Sequence, residues 1–185
     1  MQEVPNILRI FKEAKEALNN EDSAKLNNLS NQTIHTASIT QDPDNVAVAV
    51  IVYSLSKIIE RPAFKSNKNW NKFYNSVIME IDHLIDILKK NDEKHLNVHI
   101  EEFRKRISGF GNLKNYIQDV FRKASINKAS RIYEHGISME RTAGLLGVSL
   151  FELAGYAGQS GISENNLCKT CSVKDRIKFV MEMFE

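Results

Sequence analysis

The chain has 185 residues, 42% hydrophobic and 26% charged, with 25 Lys and Arg against 23 Asp and Glu and a net charge of +2. That length suits one soluble domain or two small ones. The charge balance excludes an acidic disordered tail and is too mild to identify a nucleic-acid binder by itself.

Residues 1 to 6 lack the basic and then apolar layout of a secretion signal, and no run approaches the roughly 20 apolar residues that span a bilayer. The expectation is a cytoplasmic protein with no membrane partner. Pro5, Pro43 and Pro62 all lie in the first third, whereas every glycine falls between Gly109 and Gly161. A long glycine-free stretch, with prolines only at plausible helix starts, points to long helices; the second half needs sharp turns.

Ile7, Leu8, Phe11, Ala14 and Leu18 recur at steps of three and four, so Pro5 opens a first amphipathic helix that ends near Asn19-Asn20. A second helix, capped by Asp22 or Ser23, buries Leu26, Leu29, Thr33, Ile34 and Ala37. Asp42-Pro43-Asp44 then supplies an N-cap, a proline at the first helical position and an acid on the helix dipole. The following run from Val46 to Tyr53 is β-branched enough for a buried strand. Its start signal and its continuation through Leu55, Ile58 and Ile59 favour a helix, apolar all round and central to a bundle.

Arg61-Pro62 makes a turn. A long helix carries Trp70, Phe73, Tyr74, Val77, Ile78, Ile81, Leu84, Ile85 and Leu88 on one stripe, with Lys89-Lys90 at its carboxyl end. After Asn91-Asp92 the next helix presents Leu96, Ile100, Phe103 and Ile107. Ser108-Gly109-Phe110-Gly111-Asn112 should break it before Leu113, Ile117, Val120 and Phe121. The reading is all-α: a helical bundle over 1–122, then a helix-turn-helix with a closing helix over 123–185.

From Ile126 to Ala157 three short helices are legible. The first runs through Ala129, Ile132 and Tyr133 to His135-Gly136. The second starts at Ser138 with Glu140 and Arg141 in its first turn and buries Ala143 and Leu146. Gly147 turns, Val148 plugs the turn, Ser149 caps, and the third helix turns Leu150, Leu153 and Tyr156 inward. A helix-turn-helix needs a small residue where its helices touch, a glycine four positions later, and apolar residues inside the second helix. Ala143, Gly147, Val148, Leu153 and Tyr156 meet that spacing. Through Gly161-Ile162, residues 124 to 162 resemble the short helix-turn-helix proteins classed as antitoxin-like and related transcriptional regulators. The resemblance implies a DNA-binding or toxin-neutralising role.

The outward positions of the third helix, Ser149, Phe151, Glu152, Ala154 and Gly155, are poor in the donors and acceptors that read base edges. Arg122, Lys123, Lys128, Arg131 and Arg141 could contact a phosphate backbone, joined by Arg104 and Arg106. Leu150, Phe151 and Glu152 are the alternative, a dimer or partner contact. Two expectations stand open: a DNA-binding regulator, or an antitoxin-like adaptor using the motif to dock a protein or a second copy.

A rival reading is an RNA-associated or ribosome-associated protein. Positives gather over 103–131, opposed only by Asp119. Lys57, Arg61, Lys65, Lys68 and Lys72 are interleaved with Phe64, Trp70 and Phe73, which suits unpaired bases stacking on rings. The plainer account puts those rings in the core.

Cys168 and Cys171 have the spacing of half a zinc site, which only a second subunit could complete; otherwise they are two thiols before a last helix over 172–184. His95 and His99, with Glu102 beyond, share a helix face without a metalloprotease motif. Arg131 and His135 carry the residue types of a helical ribonuclease pair at a shorter interval. No catalysis, cofactor or metal is assigned: the expectation is a non-enzymatic binding protein, with nucleic acid or protein as partner and a homodimer as assembly.

Overall fold

The computed structural model describes residues 4–90, 96–108 and 114–160. Among them are nine helices and no strand: α1 (Val4–Asn19), α2 (Ser23–Thr40), α3 (Pro43–Ile59), α4 (Pro62–Lys65), α5 (Trp70–Lys89), α6 (Leu96–Ser108), α7 (Lys114–Glu134), α8 (Met139–Leu146) and α9 (Leu150–Gln159). The all-α expectation holds. No helix among the described residues is long and apolar enough to cross a membrane.

The stretch that could have been a strand is the centre of the bundle. Asp42 caps α3 by accepting the Asp44 N–H, and Pro43 occupies the first turn, where its missing donor costs nothing. Val48, Ala49, Ile51, Val52, Leu55 and Ile58 then bury different faces of the same helix. Helix α3 can be apolar all round because α1, α2, α4, α6, α7 and α8 all pack on it. Small and hydroxylic residues bring α2 close: Ser30 Oγ donates to the Ala49 carbonyl at 2.7 Å. Ser54 returns its hydroxyl to the Val50 carbonyl one turn back, so neither serine is buried unpaired.

The amphipathic helices behave as their spacing predicts. Helix α1 buries Ile7, Phe11, Ala14 and Leu18, and α5 buries Phe73, Val77, Ile81, Leu84 and Leu88 into the same core. Phe64 and Phe73 belong to that core, and Trp70 packs against it. The aromatics between the lysines of 57–72 are thus taken up by packing rather than offered to bases. Within the turn at Arg61-Pro62, one additional helical turn, α4, has Pro62 at its start.

One expectation is corrected. The segment around Phe121 and the first helix of the helix-turn-helix are a single helix, α7, with no break between them. Residues 114–134 contain neither glycine nor proline, and Ser125 keeps its hydroxyl on the Phe121 carbonyl at 3.0 Å inside the helix. The boundary expected at residues 122 and 123 falls inside α7. This helix packs on α2 and α3 on one side and on α8 and α9 on the other. The expected break at 109–113, the pair Cys168 and Cys171, and the closing helix over 172–184 lie outside the described residues.

Candidate interaction surface on the helix-turn-helix

Helices α8 and α9 and the second half of α7 build the motif around a small centre. Ala129, Ala143 and Leu153 are buried together, with Met139, Leu146 and Val148 partly buried against them. Ala143 supplies the small contact between helices. Gly147 ends α8 with φ +62°, and its N–H and that of Val148 both return to the Ala143 carbonyl. A left-handed residue of that kind is the usual way to stop a helix and turn the chain sharply.

Ser149 then starts α9 through a reciprocal cap: its hydroxyl accepts the Glu152 N–H at 3.2 Å, and the Glu152 carboxylate accepts the Ser149 N–H at 3.2 Å. The same carboxylate accepts from Arg122 Nε of α7 at 2.9 Å and pairs with the rest of that guanidinium. Hydrogen bonds from Arg122 and Ser149 hold the Glu152 carboxyl at about 2, far below the usual range. A second polar tie joins the two helices, Asn127 Nδ2 donating to the Tyr156 hydroxyl at 3.1 Å. Helix α9 is therefore positioned by its own cap and by two side chains of α7.

The cations expected to face phosphate are mostly engaged elsewhere. Arg122 is on Glu152, Lys123 is 2.8 Å from Asp119, and Arg131 is 3.0 Å from Glu134. Arg104 lies 3.7 Å from Glu101, and Arg106 pairs with Glu80 and approaches Glu102 at 3.7 Å. Arg141 is exposed on α8, one turn after the Ser138 cap. These surface pairs are weak and leave their cations near solvent.

Lys128 is a different case and corrects an expectation. It is only 1% exposed, so it cannot serve as a surface contact to phosphate. Its Nζ donates to Asn31 Oδ1 of α2 at 2.9 Å and sits 4.1 Å from the centre of the Tyr53 ring of α3. Burial, reinforced by the like charges of Arg131 and Lys57, lowers its pKa to about 7. Tyr156 is marked by the spacing of the motif, whereas Asn31, Tyr53 and Asn127, which also organise this region, carry no local sequence signal that announces these contacts.

Of the expected contact residues, Glu152 is held by Arg122 and Ser149, whereas Leu150 and Phe151 stand apart from these polar ties. Phe151 is 89% exposed and Leu150 48% exposed at the start of α9. Ala154, Gly155 and Gly158 continue on the exposed side, while Leu153 and Ala157 face inward. The outward face of α9 is apolar over 153–158, and its one exposed side-chain amide is that of Gln159 in the last turn.

Of the candidate metal and catalytic pairs, His95 lies outside the described residues, as do the cysteines, and the described members have other neighbours. His99 meets His83 of α5, ring centres 5.2 Å apart, and lies 3.6 Å from Glu102. His135 meets His35, with ring centres also 5.2 Å apart, while Arg131 is held by Glu134. No group of three or more His, Cys, Asp or Glu fit to hold a metal occurs among the described residues. No protein-family model, characterised protein or solved structure matches the chain.

Proposed function

We propose that the protein is a non-enzymatic interaction module, an adaptor of the antitoxin-like kind, in which α9 docks a second copy of the chain instead of reading DNA. The observation that carries this reading is the exposure of Phe151 beside Leu150 on the helix that a DNA-binding protein would present to the major groove. A large ring left in water at that position is the mark of a contact surface. The small residues that follow it, Ala154, Gly155 and Gly158, would let a second helix approach closely. A two-fold arrangement would set α9 against α9, each Phe151 covering the partner's small-residue face. The only charged side chain of α9, Glu152, is already committed to Arg122 and Ser149.

Sedimentation equilibrium on the wild-type chain and on Phe151→Asp tests the reading. A concentration-dependent dimer that the substitution weakens by at least about tenfold supports it. A wild-type monomer at every concentration, or an unchanged dimer in the variant, overturns it. Retention of duplex DNA with affinity falling steeply between about 50 and 200 mM salt would favour the regulator instead; the same behaviour toward RNA would favour the RNA-associated reading.

A further inference from the structure

On the seam between α5 and α6 two histidines come together. His83 of α5 and His99 of α6 have ring centres 5.2 Å apart, and the ring planes are nearly perpendicular at 85°. His99 Nδ1 is buried without a hydrogen-bond partner, and the Glu102 carboxylate, one turn further along α6, lies 3.6 Å from it. We infer that His83 and His99 bind a divalent transition-metal ion of the zinc class, with Glu102 orienting the His99 ring from outside the coordination sphere.

The separation fits the chemistry. A Zn–N bond of about 2.0–2.1 Å puts the metal roughly 3.2 Å from the centre of each imidazole, so two imidazoles at a tetrahedral angle have centres about 5.2 Å apart. A ligating histidine is usually held by giving its other ring N–H to a carboxylate. Glu102 is placed for that part: a proton on Nδ1 facing it leaves Nε2 to the metal. Closing the gap to Glu102 also gives the orphaned nitrogen its hydrogen bond.

The surroundings admit a cation. Among the described residues His83 and His99 engage each other and Glu102 but make no side-chain hydrogen bond that a metal would have to break. Glu80 and Glu102 face one guanidinium, that of Arg106, which pairs with Glu80 and approaches Glu102 at 3.7 Å. His83 is exposed and the His99 side chain is 26% exposed, so an ion reaches both from water. Two protein ligands leave the other coordination positions to water, unlike the closed four-ligand sites that hold small domains together. Such a site suits reversible loading, and a bound ion would tie α5 to α6 across their seam. The inference does not depend on how α9 is used.

The test is a titration of the full chain with Zn²⁺ at about pH 7.5, followed by the ¹⁵N shifts of the histidine rings, with Mg²⁺ as the oxygen-preferring control. Zn²⁺ is expected to shift Nε2 of His83 and of His99 together and saturably, and Mg²⁺ to leave both unmoved. His83→Gln, at an exposed position, should weaken zinc binding at His99 at least about tenfold by removing one of two ligands, and Glu102→Gln should weaken it by about tenfold. The ring shifts of the wild-type chain decide the matter if a variant does not fold. Zinc taken up at His95, Cys168 or Cys171 with His83 unmoved would overturn the inference. So would an equal response to Mg²⁺, or zinc affinity at His99 unchanged in folded His83→Gln, which is the behaviour of a pair formed by His95 and His99.

Discussion

The Lys128 ammonium stands 4.1 Å over the Tyr53 ring and gives its one charged-group hydrogen bond to a neutral amide, that of Asn31. A buried cation held by a ring face and an amide is under-compensated, since among the described residues no carboxylate shares its site and Arg131 and Lys57 add charge of the same sign. The direction of the pH effect follows. The unfolded amine keeps its proton up to about 10.5, whereas the folded one releases it near 7. Between those values the unfolded chain binds more protons, so this group makes stability rise with pH, by about 1.4 kcal/mol per unit. Below pH 7 the cost of the buried charge is present in full. Lys128→Met should therefore be at least as stable as wild type at pH 6, with Asn31 exposed and free to rehydrate, and the advantage should shrink toward pH 10. Urea unfolding of both proteins across that range checks it; parallel curves would contradict the assignment.

The junction of Arg122, Ser149 and Glu152 predicts a pH effect of the same sign for α9, but in the acid range. A carboxyl held near 2 when folded, against an ordinary value of 4.5, contributes stability above 4.5 and loses it as pH falls through that interval toward 2. The protection factors of the α9 amides, taken against the intrinsic exchange rate at each pH, should fall over that range in wild type and be low at all pH values in Glu152→Ala. Ser149→Ala, which removes the cap hydroxyl alone, should cost about 1 kcal/mol.

Gly147 tests the turn. Nothing lies within 4 Å of where a Cβ would stand, so Gly147→Ala meets no clash and its cost is that of the left-handed backbone at φ +62°. That is about 1 kcal/mol, read as a lower midpoint in thermal unfolding, and Gly147→Asn should cost less because Asn tolerates this conformation better. An Ala variant as stable as wild type would show that the turn relaxes to another shape.

Ser30 predicts how tightly α2 and α3 depend on close approach. Its hydroxyl is buried on the Ala49 carbonyl, at a place where two helices meet through small side chains. Ser30→Val, similar in length but branched and without the donor, should destabilise by roughly 2–3 kcal/mol through crowding and the lost hydrogen bond. Ser30→Ala should cost about 1 kcal/mol, and the difference between them measures the steric part.

What was legible in the sequence was local. Asp42-Pro43-Asp44 announces its helix start in three residues, and Ala143, Gly147 and Ser149 write the turn of the motif in seven. These signals depend on backbone chemistry within one or two turns, which neighbours in sequence determine. The length of α7 was harder, because Asn127 and the serines around it resemble a boundary yet are accommodated inside a helix that packing supports. The fate of Lys128 could not be read at all. It sits among exposed cations in the sequence, and its burial is set by Asn31 and Tyr53, which only the folded bundle brings to it. The same applies to Arg122, whose partner is thirty residues away on another helix.

The centre of the helix-turn-helix, two alanines and one leucine fully buried, is too small to hold three helices together. Leu146 makes up the difference: it packs against this centre, against the cluster formed by α2, α3 and Ile132, and against the main core at once. The motif is consequently not portable. Excised, or grafted behind another domain, α8 and α9 would lose the scaffold on which they lean, so any transfer of their exposed apolar face to a new host has to carry α2, α3 and α7 with it.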